Sequence, residues 1–149
     1  MAKELTLEES YDVCISEGNF IPQANIDTNK IKSMLKIIEE DIQTIEKIKK
    51  TNRYNTSLKL TYDVLHTLVE IILLFDKIKS SNHKCLFTYI CIKHNELELD
   101  WNFFELIRTK RNGIHYYGTT IDKSEFNKLL FQANLYINTL KKEIHKKLE

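Results

Sequence analysis

Hydrophobic positions recur every three or four residues through most of the chain. Between residues 31 and 48 they are Ile31, Met34, Leu35, Ile38, Ile42, Ile45 and Ile48, while Lys32, Lys36, Glu39, Glu40, Lys47 and Lys49 fill the other faces. This pattern predicts an amphipathic helix of about 20 residues with one buried stripe. Isoleucine is a mediocre helix former, so packing rather than propensity must hold it. The following segment, 56–79, differs: Val64, Leu65, Leu68, Val69 and the run 71–75 leave little polar face. A helix apolar on most sides belongs at the centre of a bundle or in a subunit interface.

Polar residues 80–82 break that helix and offer an N-cap to a shorter one over 85–93. Asp100 is placed to cap a helix over 101–115, with Gly118 closing the region. Asp122-Lys123-Ser124-Glu125 reads as a capping box for a last helix that buries Phe126, Leu129, Leu130, Ala133, Ile137, Leu140 and Ile144. Lys141, Lys142, Lys146 and Lys147 in its final turns carry the sign that the helix dipole favours. Residues 5–17 form a short helix in this reading, and 18–28, with Pro22, a connecting loop. The expected fold is all-α: an antiparallel four-helix bundle with one or two additional short helices. It is expected to be a single domain over 1–149, with 1–28 the N-terminal helix and loop and 29–149 the bundle.

Composition narrows the classes. The chain of 149 residues is long enough to bury a core of its own. Its 22 Lys+Arg against 21 Asp+Glu exclude a generally basic nucleic-acid sponge, though not a local patch. Three Gly and one Pro are too few to punctuate a meander of hairpins. The three cysteines, Cys14, Cys85 and Cys91, are a sparse and odd set, which argues for a reducing compartment rather than a disulfide scaffold. The charged start carries no signal-peptide pattern. The most apolar stretch, 64–75, is too short and too interrupted by His66 and Glu70 to span a bilayer. A cytoplasmic location with no membrane partner is the expectation.

Several signals reduce to structural roles. His83, Cys85, Cys91 and His94 supply soft ligands close together, but neither half has the close ligand pairs of structural zinc sites. Both cysteines lie among Leu86, Phe87, Tyr89, Ile90 and Ile92, so they read as core. His66, in the most apolar helix, reads as a hydrogen-bonded core or interface residue, and His145 as a surface residue. The terminal lysines read as a solvated helix end that also attracts RNA backbone if RNA is the ligand. The absence of a Gly-rich phosphate loop excludes P-loop nucleotide hydrolysis. No Ser or Cys has a recognisable nucleophile setting.

One stripe looks chemical. Only Arg53, Arg108 and Arg111 are arginine, and two of these fall in Arg108-Thr-Lys-Arg111-Asn112-Gly113-Ile114-His115. At about 100° per residue, with Arg108 at zero, Arg111 falls near about 300°, Asn112 about 40°, His115 about 340° and Glu105 about 60°. Leu106, Ile107, Phe103 and Ile114 fall on the opposite side, at about 160–260°. Glu105 stands where it offsets the repulsion between the two guanidiniums. Choosing arginine twice in a lysine-rich chain points to planar, bidentate recognition of phosphate or carboxylate. Trp101 and Phe104 share the polar face, which suggests that a partner subunit covers it. The competing reading is an ordinary solvated face.

The chain resembles the HEPN superfamily, the higher eukaryotes and prokaryotes nucleotide-binding domains, and most of all its small stand-alone prokaryotic members. The resemblance lies in the long apolar helix, then Lys79-Ser-Ser-Asn-His-Lys-Cys-Leu86, Leu97-Glu-Leu-Asp-Trp-Asn-Phe103 and Arg111-Asn-Gly-Ile-His-Tyr-Tyr-Gly118. The family signature is an Arg, often followed by a polar residue, four to six residues before a His. His115 matches that His. Arg108 precedes it with six residues between, and Arg111, followed by the polar Asn112, with three. His115-Tyr116-Tyr117 is similar to the His-x-Tyr ending of HEPN toxins, whose Tyr, here Tyr117, is modified by a minimal nucleotidyltransferase antitoxin.

The resemblance implies a homodimer whose signature helices form a cleft, and a metal-independent endoribonuclease that needs no cofactor. Arg108, Arg111, Asn112 and His115 would carry catalysis, with Glu105 in a binding role. RNA supplies its own nucleophile in the 2′-OH, so a base, an acid and phosphate stabilisation suffice. Three alternatives stay open: a toxin ribonuclease, a non-catalytic module that binds nucleotide or RNA or docks a nucleotidyltransferase, and a bundle whose stripe only makes an interface.

Overall fold

A computed structural model describes residues 4–149. Its helices are α1 (Leu7–Ser16), α2 (Thr28–Ile48), α3 (Tyr54–Phe75), α4 (His83–Lys93), α5 (Trp101–Tyr117) and α6 (Lys123–Leu148). Two three-residue strands, β1 (Phe20–Pro22) and β2 (Ile78–Ser80), join as an antiparallel ribbon, with Phe20 opposite Ser80 and Pro22 opposite Ile78. The all-α reading is correct at this level. The ribbon departs from the expected loop over 18–28 and from the expected helix running on to residue 79. The physical reason is Lys77, whose φ of 60° ends the helical path and turns the chain into extended backbone.

Polar side chains set the helix starts. Thr6 and Glu9 make a reciprocal capping box on α1. Asp27, Asn82, Asp100 and Asp122 each accept a backbone N–H in the first turn of the helix that follows. The expected capping box at Asp122 is half realised. Asp122 accepts from the Glu125 N–H, while the Glu125 carboxylate reaches Lys110 Nζ at 3.4 Å instead. Gly118 closes α5 with a φ of 66°, which a Cβ would strain.

The nearly all-apolar α3 is the central helix, packed against α2, α4, α5 and α6. Leu58, Leu65, Leu68, Val69 and Ile72 are fully buried within this chain, so its apolar faces are covered without a partner. Each such side chain contributes about 1.5–3 kcal/mol relative to an exposed one. Phe87 of α4 stacks on Phe104 of α5 with centroids 4.5 Å apart, and Phe103 meets Tyr136 of α6 edge-on. Tyr136 also accepts the Asp100 backbone N–H at 2.8 Å, tying the start of α5 to α6.

Cysteine usage needs correction. Cys14 on α1 and Cys85 on α4 form a disulfide across 71 residues, so the sparse set does contain a staple and gives no argument for a reducing compartment. Neither cysteine announces the other in sequence, because the helices meet only in the fold. Cys91 is free and buried. Among the described residues, no helix is long and apolar enough to cross a membrane.

Candidate functional site

The inward arc of α5 is not the one that polarity alone predicts. Phe103, Phe104 and Ile107 are its buried residues, whereas Leu106 is 47% exposed. On the helical wheel this turns the buried centre from about 220° to about 265°, and Arg111, at about 300°, falls inside it. Phe104, expected beneath a partner subunit, is fully buried against Phe87 of the same chain. The aromatic argument for a covering partner therefore fails at Phe104.

Arg111 reaches the inner surface over Tyr62 of α3, its guanidinium carbon 5.3 Å from the ring centroid. The Tyr62 hydroxyl lies 2.8 Å from Nδ1 of His83, the first residue of α4. His66, one turn after Tyr62 on α3, places its ring 4.1 Å from that of His83 and meets Phe87 edge-on. Three helices thus bring together Tyr62, His66, His83 and Arg111. The last turns outward again through a 3.3 Å bond from Nη1 to Asn112 Oδ1. The buried Nε of Arg111 has no acceptor among the described residues.

This environment acts on its acids and bases. Burial, then His83 and Arg111, pushes His66 down to about 4. Its Nδ1 lies 3.7 Å from Glu70, but the ring is neutral near pH 7 and the contact is not an ion pair there. His83 is an exposed residue, yet its ring packs against those of Tyr62 and His66. Burial, then Arg111 and Arg108, lowers its pKa against the pull of Asp63. The Tyr62 phenol is raised by burial, so it stays protonated. Asp63 is raised by burial even though Arg111, His83, Lys59 and His115 all favour its charged form.

The remaining expected residues divide into two groups. Arg108 is gripped by Glu105 through bonds of 3.2 and 2.8 Å, and lines with His83 a pocket of about 310 Å³ that also touches the disulfide. Asn112 lies along a separate pocket of about 500 Å³ with Lys110, Gly113, Tyr116 and Tyr117. His115 is exposed, its ring edge-on to Tyr116, and Tyr117 is 81% exposed at the end of α5. Arg108, Arg111 and His115 are therefore on one helix, but only Arg111 joins the inner cluster, with Arg108 beside it on the pocket that His83 also lines.

Sequence reasoning missed Tyr62, Asp63 and His83 as neighbours of the arginines and placed His66 only as a core residue. The readable signal was Tyr62-x-x-x-His66, two polar rings one helical turn apart within an apolar helix. The four soft ligands weighed for zinc are dispersed. Cys85 is in the disulfide, and burial pushes the Cys91 thiol up to about 12. His94 is held at Nε2 by Asp76 (2.6 Å) and at Nδ1 by Glu96 (3.3 Å).

Compared with known proteins, the chain matches no family model and no curated protein sequence.

Proposed function

We propose that the protein is a metal-independent endoribonuclease of the HEPN type and the toxin of a toxin–antitoxin pair. In this reading the four long helices α2, α3, α5 and α6 form the HEPN four-helix bundle. Two copies pair across α5, making a cleft with two Arg/His sets. The observation that carries the reading is the composition of α5: Arg111 anchored at the inner cluster, Arg108 held by Glu105 one turn before it, and an exposed histidine one turn after it.

The chemistry needs little else. His115 of one copy takes the 2′-OH proton as O2′ bonds to the adjacent phosphorus. As the P–O5′ bond breaks, the His115 imidazolium of the other copy gives its proton to O5′. A cyclic phosphate and a free 5′-hydroxyl result. Arg108 and Arg111 stabilise charge developing on the phosphate oxygens, and Asn112 orients the phosphate. The exposed Tyr117 is open to modification by a minimal nucleotidyltransferase antitoxin.

Purified protein incubated with mixed single-stranded RNA in EDTA, beside His115→Ala, tests this. Cleavage by the wild type that disappears in the variant is expected. No cleavage by a folded, unmodified dimer would reject catalysis. A second reading, a non-catalytic HEPN module that binds nucleotide or RNA or docks a nucleotidyltransferase, is favoured by one observation: the Nε–Nη2 edge of the Arg108 guanidinium is already engaged by Glu105.

A further inference from the structure

The inner cluster is rich in donors and short of acceptors. Arg111 Nε–H is buried with no acceptor among the described residues, an arrangement that folded proteins rarely leave standing. The Tyr62 phenol and His83 Nδ1 lie 2.8 Å apart, and in the tautomer in which the phenol donates, the ring proton of neutral His83 is on Nε2. That second nitrogen makes no bond among the described residues, and His83 is an exposed residue. Arg108 shares a pocket with His83. Guanidinium and imidazole N–H groups on one side of a protomer, with a buried donor unmatched, are complementary to an oxyanion.

We propose that His83 joins Arg111 and Arg108 in a phosphate-binding subsite within each protomer, which holds the RNA phosphate that the two arginines contact in the ribonuclease reading. The identification of the ligand as RNA rests on the ribonuclease reading, whereas the phosphate site itself rests on the donor set. Tyr62 is a positioning residue, bonded to His83 and carrying the Arg111 guanidinium on its ring face. Four carboxylates work against an anion: Glu105, already matched to Arg108, Asp63, whose proton affinity is raised by burial, and Glu17 and Glu70 on the walls of the pockets flanking His83. Lys79 and Lys84, on the walls of the pockets flanking His83, add positive charge at the rim.

Imidazole NMR signals followed during titration with uridine 3′-phosphate, and separately with uridine, test the subsite in wild type, His83→Ala and Arg111→Lys. A saturable shift of the His83 signals by the nucleotide but not by the nucleoside is expected. Arg111→Lys keeps the charge but loses the fork and Nε, and should weaken binding at least tenfold, as should His83→Ala, with the far-UV spectrum unchanged. In RNA cleavage His83→Ala should raise KM more than it lowers kcat. No His83 shift with uridine 3′-phosphate, or equal binding by all three proteins, would overturn the subsite. Cleavage by the wild type that both variants match in KM would overturn it too, leaving the ribonuclease reading intact. Nucleotide binding at His83 without any RNA cleavage would uphold the subsite and reject the ribonuclease.

Discussion

His66 gives the protein an acid-sensitive core, and its replacement should change how stability depends on pH. The ring is 20% exposed, lies between Tyr62, His83 and Phe87, and has its pKa lowered from 6.5 to about 4, first by burial. Because the folded pKa is depressed, the unfolded chain binds the proton first as pH falls. Stability is therefore intact above about pH 6.5 and is lost as pH falls through the window down to about pH 4. Linkage over these two values gives almost no effect at about pH 8 and a loss of about 2 kcal/mol at about pH 5. Glu70, at 3.7 Å and 32% exposed, offsets only part of it.

His66→Gln removes the titration and keeps a neutral polar side chain of similar reach. At about pH 8 it should cost about 1 kcal/mol through the lost edge-on contact with Phe87. At about pH 5 the order should reverse, the variant being more stable by about 1 kcal/mol. The lowered pKa of His83 and the raised ones of Asp41 and Asp63 remain in both proteins and largely cancel in the comparison. Urea unfolding at the two pH values, followed by far-UV circular dichroism with the disulfide oxidised, measures the four free energies. Parallel losses in wild type and variant, with no crossing, would refute the reasoning. So would a His66 NMR titration centred near the ordinary value.

Other perturbations test the frame around the cluster. Reducing the Cys14–Cys85 bond releases a loop closed across 71 residues, and should lower stability by about 4 kcal/mol on chain entropy; an unchanged melting curve in dithiothreitol would contradict the pairing. Phe87→Ala, which empties a fully buried site stacked on Phe104, should lower urea stability by about 3–5 kcal/mol. Tyr136→Phe leaves the Asp100 N–H without its acceptor and should cost about 1–2 kcal/mol, read as a lower thermal midpoint with an unchanged far-UV spectrum.

Local rules carried much of the fold. Asn82, Asp100, Asp122 and Gly118 act where their side chains or flexibility predicted, because caps depend on neighbours a few residues away. The apolar α3 is central for the reason its pattern gave. What escaped depends on distance and on dual-natured side chains. The ribbon turns on three-residue strands and a lysine at positive φ, neither of which has a sequence signature. Cys14 and Cys85 carry no spacing that links them. On α5 the wheel equated polarity with exposure. Arg111 breaks that equation because its flat cation lies over a tyrosine ring, while Phe104 follows its own burial to Phe87.

That rotation of α5 has a chemical consequence. Arg111 and His115 are four residues apart, which is about 6 Å along the helix axis. Arg111 is turned toward Tyr62 and His83, and His115 toward solvent at the next turn. On the proposed reading, a phosphate held by Arg111 and His83 leaves the ribose that carries the attacking 2′-OH directed outward, toward His115. One protomer thus supplies both the anchor and the first proton-transfer group, and the second copy is needed for the other histidine. Binding and chemistry then separate under mutation: a change at His83 weakens the hold on the strand, a change at Arg111 weakens the hold and slows turnover, and His115→Ala leaves nucleotide binding in place and removes turnover.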